Sequence, residues 1–193
     1  MTVTVLVPTE LGRTALAGLD SVEAVLYEPD GQWPEQAMSA EVLVVPWQSS
    51  LREKMLVSMR ELPKLRLVQT LSAGTEVWEG RLPDGVLLSN GRGANGGSTA
   101  ELAAAGLLAL YREVPQFGAD QAAHRWNQHV TETLDGKRVL VLGAGDLGQN
   151  LRARLEPFGA TVTLAGRSAR DGVRSFDEVP DLLGGHDAVV LMV

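Results

Sequence analysis

An open, parallel α/β architecture in two lobes is predicted by three observations. Short β-branched runs alternate with helical segments through the first hundred residues. A glycine-rich stretch, Asn90-Gly-Arg-Gly-Ala-Asn-Gly-Gly97, then interrupts the alternation. From Lys137 onward a second strand, glycine loop and helix restart it. Parallel neighbours need a long crossover, which a helix supplies, so this alternation calls for βαβ units.

In the first lobe, Val3-Thr-Val-Leu-Val7 is the first strand and residues 10–19 the first helix. Strands are expected at 22–27, at 41–45 (closed by Pro46), at 65–71 and at 86–89. Residues 51–62 carry Leu51, Met55, Leu56, Met59 and Leu62 at helical spacing. Ser98 followed by Glu101 reads as a capping box opening a helix over 99–113. That helix is apolar on nearly every side, which marks an element held between layers or at an interface. The boundary is placed near Gly97, giving lobes 1–97 and 98–193. A helix over 115–126 follows. The second lobe then reads as strand 138–142, helix 147–158, strand 161–165, a short strand at 172–176, a brief helix at 177–183 and an apolar strand at 187–193. The last strand lacks alternation, the mark of a strand covered on both faces. It is expected beside strand 138–142.

Composition removes several functions. Lys and Arg number 17 against 24 Asp and Glu, a net charge of −7. No basic surplus exists to hold nucleic acid or an anionic membrane, so neither is expected as a partner. There is no cysteine, which excludes disulfides, thiol nucleophiles and cysteine-built zinc sites and suits a reducing cytoplasm. No metal is expected. The amino-terminal residues lack the features of a signal peptide. The longest apolar stretch, 102–110, is far short of the ~20 residues a membrane helix needs.

Two stretches match G-x-G-x-x-G: Gly91-Arg-Gly93-Ala-Asn-Gly96 and Gly143-Ala-Gly145-Asp-Leu-Gly148. Each follows a strand and opens a helix. A dinucleotide fingerprint also needs a second parallel strand after that helix. About forty residues of helix and loop follow Gly96, whereas strand 161–165 follows the helix that starts near Gly148. The second motif is therefore the expected site. Gly143 would make the tight turn, Gly145 would let the backbone approach a pyrophosphate, and Gly148 would let the helix pack on the strand. Free N–H groups of Asp146, Leu147 and Gly148 at the helix start would face the phosphates. The Asp146 side chain is expected to face solvent and cap the helix. At the end of the second strand, where NAD sites place an acid, stand Gly166, Arg167, Ser168 and, two further on, Arg170. Without the acid, and with arginines that can clamp a 2′-phosphate, the expected cofactor is NADP, with NAD the weaker candidate.

These residues, in this order, resemble the D-2-hydroxyacid dehydrogenase family. The matching stretches are Leu67-Val-Gln-Thr-Leu-Ser-Ala-Gly-Thr75, Ser89-Asn-Gly-Arg-Gly93 leading to Thr99-Ala-Glu101, Arg125-Trp126, Leu134-Asp-Gly-Lys-Arg-Val-Leu-Val-Leu-Gly-Ala-Gly145 and Phe158-Gly159. The resemblance implies a flavodoxin-like substrate lobe beside a Rossmann dinucleotide lobe. It also implies interconversion of a 2-oxoacid and a D-2-hydroxyacid by hydride transfer, and a homodimer. Ser72, Ala73 and Gly74 resemble the family's loop whose amides receive the substrate carboxylate. Thr99 resembles the position that approaches the cofactor, with helix capping as its other reading. Met192 and Val193 fall where the family's cofactor wall begins.

The family's catalytic Arg, Glu and His have no counterpart here and are expected beyond Val193, so the dinucleotide lobe is expected to be truncated and this chain alone inactive. His124, His129 and His186 read as surface or loop residues. Two other readings stay open: a non-enzymatic NAD(P)-binding sensor or interaction protein on the same fold, since fold does not dictate function, and another Rossmann reductase. The nature of the 2-oxoacid and the direction of reaction are not legible.

Overall fold

The β-branched run at the amino end becomes a strand because alternate residues pack on either face of a sheet covered on both sides. A computed structural model describes residues 2–193, and the chain divides there into two compact units, a first that ends at Arg92 and a second, Gly93–Val193.

The first unit is a five-stranded parallel sheet. Strand β1 (Val3–Val7) leads through α1 (Glu10–Leu16) to β2 (Val22–Leu26), then β3 (Val42–Val44), α2 (Arg52–Ser58), β4 (Leu67–Gln69) and β5 (Leu87–Ser89). The strands lie in the order β2-β1-β3-β4-β5, the flavodoxin order, in which ligands bind beyond the carboxyl ends of the strands. Thr9 caps α1, its side chain accepting the Gly12 N–H at 3.2 Å. The predicted helix over 51–62 is realised as α2 flanked by a 3-10 turn on each side. Its Met55, Leu56 and Met59 are buried with Leu6, Leu43, Val68 and Trp78. Tyr27 is buried in the same core and donates to the Val44 carbonyl at 2.8 Å; burial pushes its phenol pKa upward.

The second unit opens with α3 (Gly96–Tyr111) and α4 (Val114–Ala122), followed by β6 (Arg138–Leu142), α5 (Asp146–Leu155), β7 (Thr161–Gly166), β8 (Val173–Ser175), α6 (Val179–Leu183) and β9 (Ala188–Leu191). Its four parallel strands run β8-β7-β6-β9. This corresponds to positions 3-2-1-4 of the Rossmann order. β9 pairs with β6 from Val139↔Ala188 to Leu142↔Leu191, as the sequence predicts.

Three local expectations are corrected. The capping box at Ser98 and Glu101 does not form. The helix begins at Gly96, and the Ser98 hydroxyl donates to the Asn95 carbonyl at 3.2 Å instead. Nor is α3 buried all round. Gly96, Ala100, Ala104 and Leu107 are buried, while Leu102 and Leu110 are 74% and 73% exposed. The small residues on the buried side let α3 lie close against α5. Finally, β9 does alternate in burial, since Val189 and Leu191 are exposed while Met192 beyond them is buried. Its continuous apolar composition hides that difference. Among the described residues no helix is long and apolar enough to cross a membrane.

Candidate functional site

The glycine loop of the second unit runs from the end of β6 into α5, and its glycines differ in what constrains them. Gly143 has φ +120°, and a Cβ there would sit 2.1 Å from the Met192 carbonyl oxygen. A Cβ on Gly148 would meet the Gly143 carbonyl oxygen at 1.8 Å. Both positions are therefore closed by backbone, the first also by its left-handed conformation. At Gly145 the Cβ position meets no atom within 4 Å, and the backbone is extended with φ −82°. Nothing in the protein requires glycine at 145, so the space over its Cα is open to a ligand. α5 starts at Asp146 with no side-chain cap. The N–H groups of Asp146, Leu147 and Gly148 donate to no acceptor among the described residues. Unsatisfied first-turn donors with the positive end of a helix dipole behind them form an anion cradle. On the chemistry of these donors, the residues present fit a dinucleotide pyrophosphate.

Asp146 does not face solvent as expected. Its side chain accepts from the Asn150 amide at 3.0 Å. It also lies against the start of α3, where a Cβ on Gly96 would come within 1.7 Å of Oδ2. The carboxylate is thereby turned toward a second helix N-terminus, a favourable place for a negative charge. This contact also accounts for a glycine of the other G-x-G-x-x-G stretch. There Gly96 makes room for Asp146, Gly93 has φ +86°, and a Cβ on Gly91 would press on the Leu71 carbonyl at 2.8 Å. All three have structural reasons unconnected with a nucleotide.

At the end of β7, Gly166 is buried. A Cβ there would touch Val173, Ala144 and the Arg170 guanidinium at 3.3–3.5 Å. Arg170 reaches over the loop and donates to the Ala144 carbonyl at 2.8 Å. Arg167 and Ser168 are exposed, and their side chains make no hydrogen bond or ion pair among the described residues. Thr99 is exposed in the first turn of α3. Met192 donates its N–H to the Leu142 carbonyl at 2.7 Å, which fastens the end of β9 to the glycine loop.

In the first unit, Ser72, Ala73 and Gly74 follow β4. Every carbonyl of this loop is held. The Ser72 oxygen accepts from Thr70 Oγ1 and from the Gly91 N–H, both at 2.8 Å. The Ala73 oxygen accepts from the Asn90 side-chain amide at 2.8 Å, and the Gly74 oxygen from Ser72 Oγ at 3.1 Å. The N–H groups of Ser72, Ala73 and Gly74 donate to no acceptor among the described residues. Carbonyls tied back and amides left outward make a small anion receptor without a cation. Thr70 and Asn90, which set this polarity, carry no sequence signal for the role.

Two of the three histidines are engaged with protein partners. His186 Nδ1 donates to the Leu182 carbonyl at 2.7 Å, and Nε2 faces Thr163 Oγ1 at 2.8 Å. His129 bridges Glu113 and Asn127, and His124 is exposed at the end of α4.

The chain is similar in sequence and in fold to known proteins. Residues 104–193 match the D-isomer specific 2-hydroxyacid dehydrogenase NAD binding domain. Over 190 residues, 91% of the chain, the sequence is 30% identical to D-3-phosphoglycerate dehydrogenase of Mycobacterium leprae (strain TN). Residues 104–193 are thus similar to the NAD binding domain of the D-isomer specific 2-hydroxyacid dehydrogenases. It is also 23% identical over 82% of its length to glyoxylate/hydroxypyruvate reductase HPR3 of Arabidopsis thaliana. The whole chain superimposes, with a TM-score of 0.81 and 23% identity, on 64% of a solved D-isomer specific 2-hydroxyacid dehydrogenase family protein from Aeromonas salmonicida subsp. salmonicida A449. The chain spans 51% of the Arabidopsis relative and 35% of the mycobacterial one. The family match carries a nicotinamide-cofactor domain over the stretch that holds β6, the glycine loop and β7.

Proposed function

We propose that the chain is the substrate-receiving and cofactor-binding part of an NADP-dependent oxidoreductase that interconverts a 2-oxoacid and a D-2-hydroxyacid. The observation that carries this reading is the glycine loop. It has open space over Gly145, three unpaired amides at the start of α5, and no acid at the end of β7. Bound NADP(H) would supply or accept a hydride at its nicotinamide ring. The amides of Asp146, Leu147 and Gly148 would hold the pyrophosphate. Arg167, Ser168 and Arg170 would hold the 2′-phosphate, Arg167 as a bidentate clamp and Arg170 from its seat on Ala144. Thr99 is assigned to the cofactor side, and Ser72, Ala73 and Gly74 to the substrate carboxylate. None of the three histidines is offered as the proton donor, because His129 and His186 are engaged with protein partners. The exposed apolar residues Leu102, Leu110, Trp126 and Val130 support a homodimer through this part of the second unit.

The test is a fluorescence titration with NADPH and NADH. NADPH is expected to bind more tightly. Arg167→Ala should cost NADPH about 1–3 kcal/mol, narrow the preference, and leave NADH nearly unchanged. The preference should also shrink as salt rises. Equal affinities for the two cofactors in the unsubstituted protein would refute the NADP assignment.

A further inference from the structure

The first unit contains a cavity of about 510 Å³, within the ~300–1,000 Å³ range of small-molecule sites. Its wall includes Val45, Trp47, Leu71 and Trp78, and it also includes Ser72, the first residue of the candidate carboxylate loop. One charged side chain lines it among the described residues, Arg52 at the start of α2. Arg52 is partly buried and makes no side-chain hydrogen bond or ion pair among the described residues. The neighbouring acid cannot neutralise it. Glu53 is held by Arg81 in a two-pronged pair, at 2.9 Å and 2.7 Å. In a protein of net charge −7, a cavity whose single charge is an unpaired guanidinium is built to receive an anion. A planar guanidinium takes a carboxylate or a phosphate with two parallel hydrogen bonds.

We infer that Arg52 determines substrate specificity, binding a second anionic group at the far end of a 2-oxoacid whose first carboxylate lies on the 72–74 amides. This rests on the reading of that loop as the carboxylate receptor. Because Ser72 belongs to both loop and cavity wall, an acid seated on the loop has its remaining atoms at the cavity's edge. A two-carbon or three-carbon acid leaves the cavity largely empty. A longer acid with a distal carboxylate or phosphate fills it and neutralises Arg52.

Calorimetric titration of the full chain with pyruvate, phenylpyruvate, 2-oxoglutarate and 3-phosphohydroxypyruvate tests this. Emission from Trp47 and Trp78 in the cavity wall serves as a second readout. At least one of the two acids that carry a second anionic group should bind roughly tenfold or more tightly than pyruvate, the scale of a charge-assisted pair. Which one does so separates a distal carboxylate from a distal phosphate. Arg52→Gln should collapse that ratio toward one, and Arg52→Lys should keep part of it, with thermal melting showing that each variant folds. The ratio in the unsubstituted protein stands as a test even if a variant fails to fold. Pyruvate binding with no advantage for an acid that has a second anionic group, an advantage that survives Arg52→Gln, or tightest binding of phenylpyruvate would overturn the proposal and leave the carboxylate loop standing. If none of the four acids binds, the proposal and the reading of the loop fall together.

Discussion

Of three glycines in one loop, two are required by the surrounding backbone and one is not, and this separates folding from binding at single residues. Gly143 and Gly148 are closed by backbone atoms, so alanine there displaces Met192 or Gly143 itself. Gly145 has an ordinary φ and an empty Cβ position. Gly145→Ala should therefore fold normally, and the loss of unfolded-state freedom should raise stability by about 0.4–1 kcal/mol. Cofactor affinity should nevertheless fall, because the new methyl stands where the pyrophosphate approaches. Gly148→Ala should lower the melting temperature outright. Thermal melts with and without NADPH decide the matter. A Gly145→Ala protein that binds NADPH as tightly as its parent would remove the loop from the cofactor site.

Among the elements, the segment after α4 is tied back by a histidine whose two partners are both acceptors. His129 Nε2 meets a Glu113 carboxylate oxygen at 2.9 Å, and Nδ1 meets the Asn127 carbonyl at 3.1 Å. Both ring nitrogens must donate, which is the doubly protonated imidazole. Phe117 of α4 stacks on the ring at 5.2 Å. The Glu113 hydrogen bond, then that to Asn127, raises the His129 pKa above its ordinary value of 6.5. A folded-state pKa above the unfolded one gives stability that is complete below the unfolded value and lost as pH rises through the folded one. Melting temperature should therefore decline as pH rises from below 6.5 through the neutral range. His129→Gln should remove that part of the slope. Superimposable pH profiles for the two proteins would show that the contact contributes nothing in solution. His186 differs in its partners: Nδ1 donates to the Leu182 carbonyl, and Nε2 faces the Thr163 hydroxyl, which can donate or accept.

For the molecule as a whole, the second unit leaves several large apolar side chains exposed. Leu110 of α3 is 73% exposed, Trp126 is 91% exposed and Val130 is 97% exposed. Association through this exterior would bury what α3 leaves uncovered. Sedimentation velocity at micromolar concentration should report a dimer. Leu110→Glu should shift it to monomer with little change in the melting temperature of the monomeric species, because the side chain packs on little within its own chain. A monomer that persists on concentration contradicts the dimer.

The linear order of residues was enough to locate nearly every strand to within a residue or two; it also puts a division near the central glycine-rich turn and proposes Gly143–Gly148, not Gly91–Gly96, as the fingerprint. Those features are local: β-branched runs, helical spacing, and a second strand at the right distance after a glycine loop. Only tertiary structure decided the rest. The outward amides of the 72–74 loop depend on Asn90 and Gly91 reaching back to hold the Ala73 and Ser72 carbonyls. The start of α3 depends on Gly96 meeting Asp146, fifty residues away. Which side of α3 is buried depends on α5, and the charge of the cavity depends on the packing that brings Arg52 of α2 to the same wall as Ser72. The common physical reason is that periodicity and capping residues record what each segment does with its own neighbours. A hydrogen bond, a steric limit or an ion pair between distant segments exists only once the sheet order has brought them together.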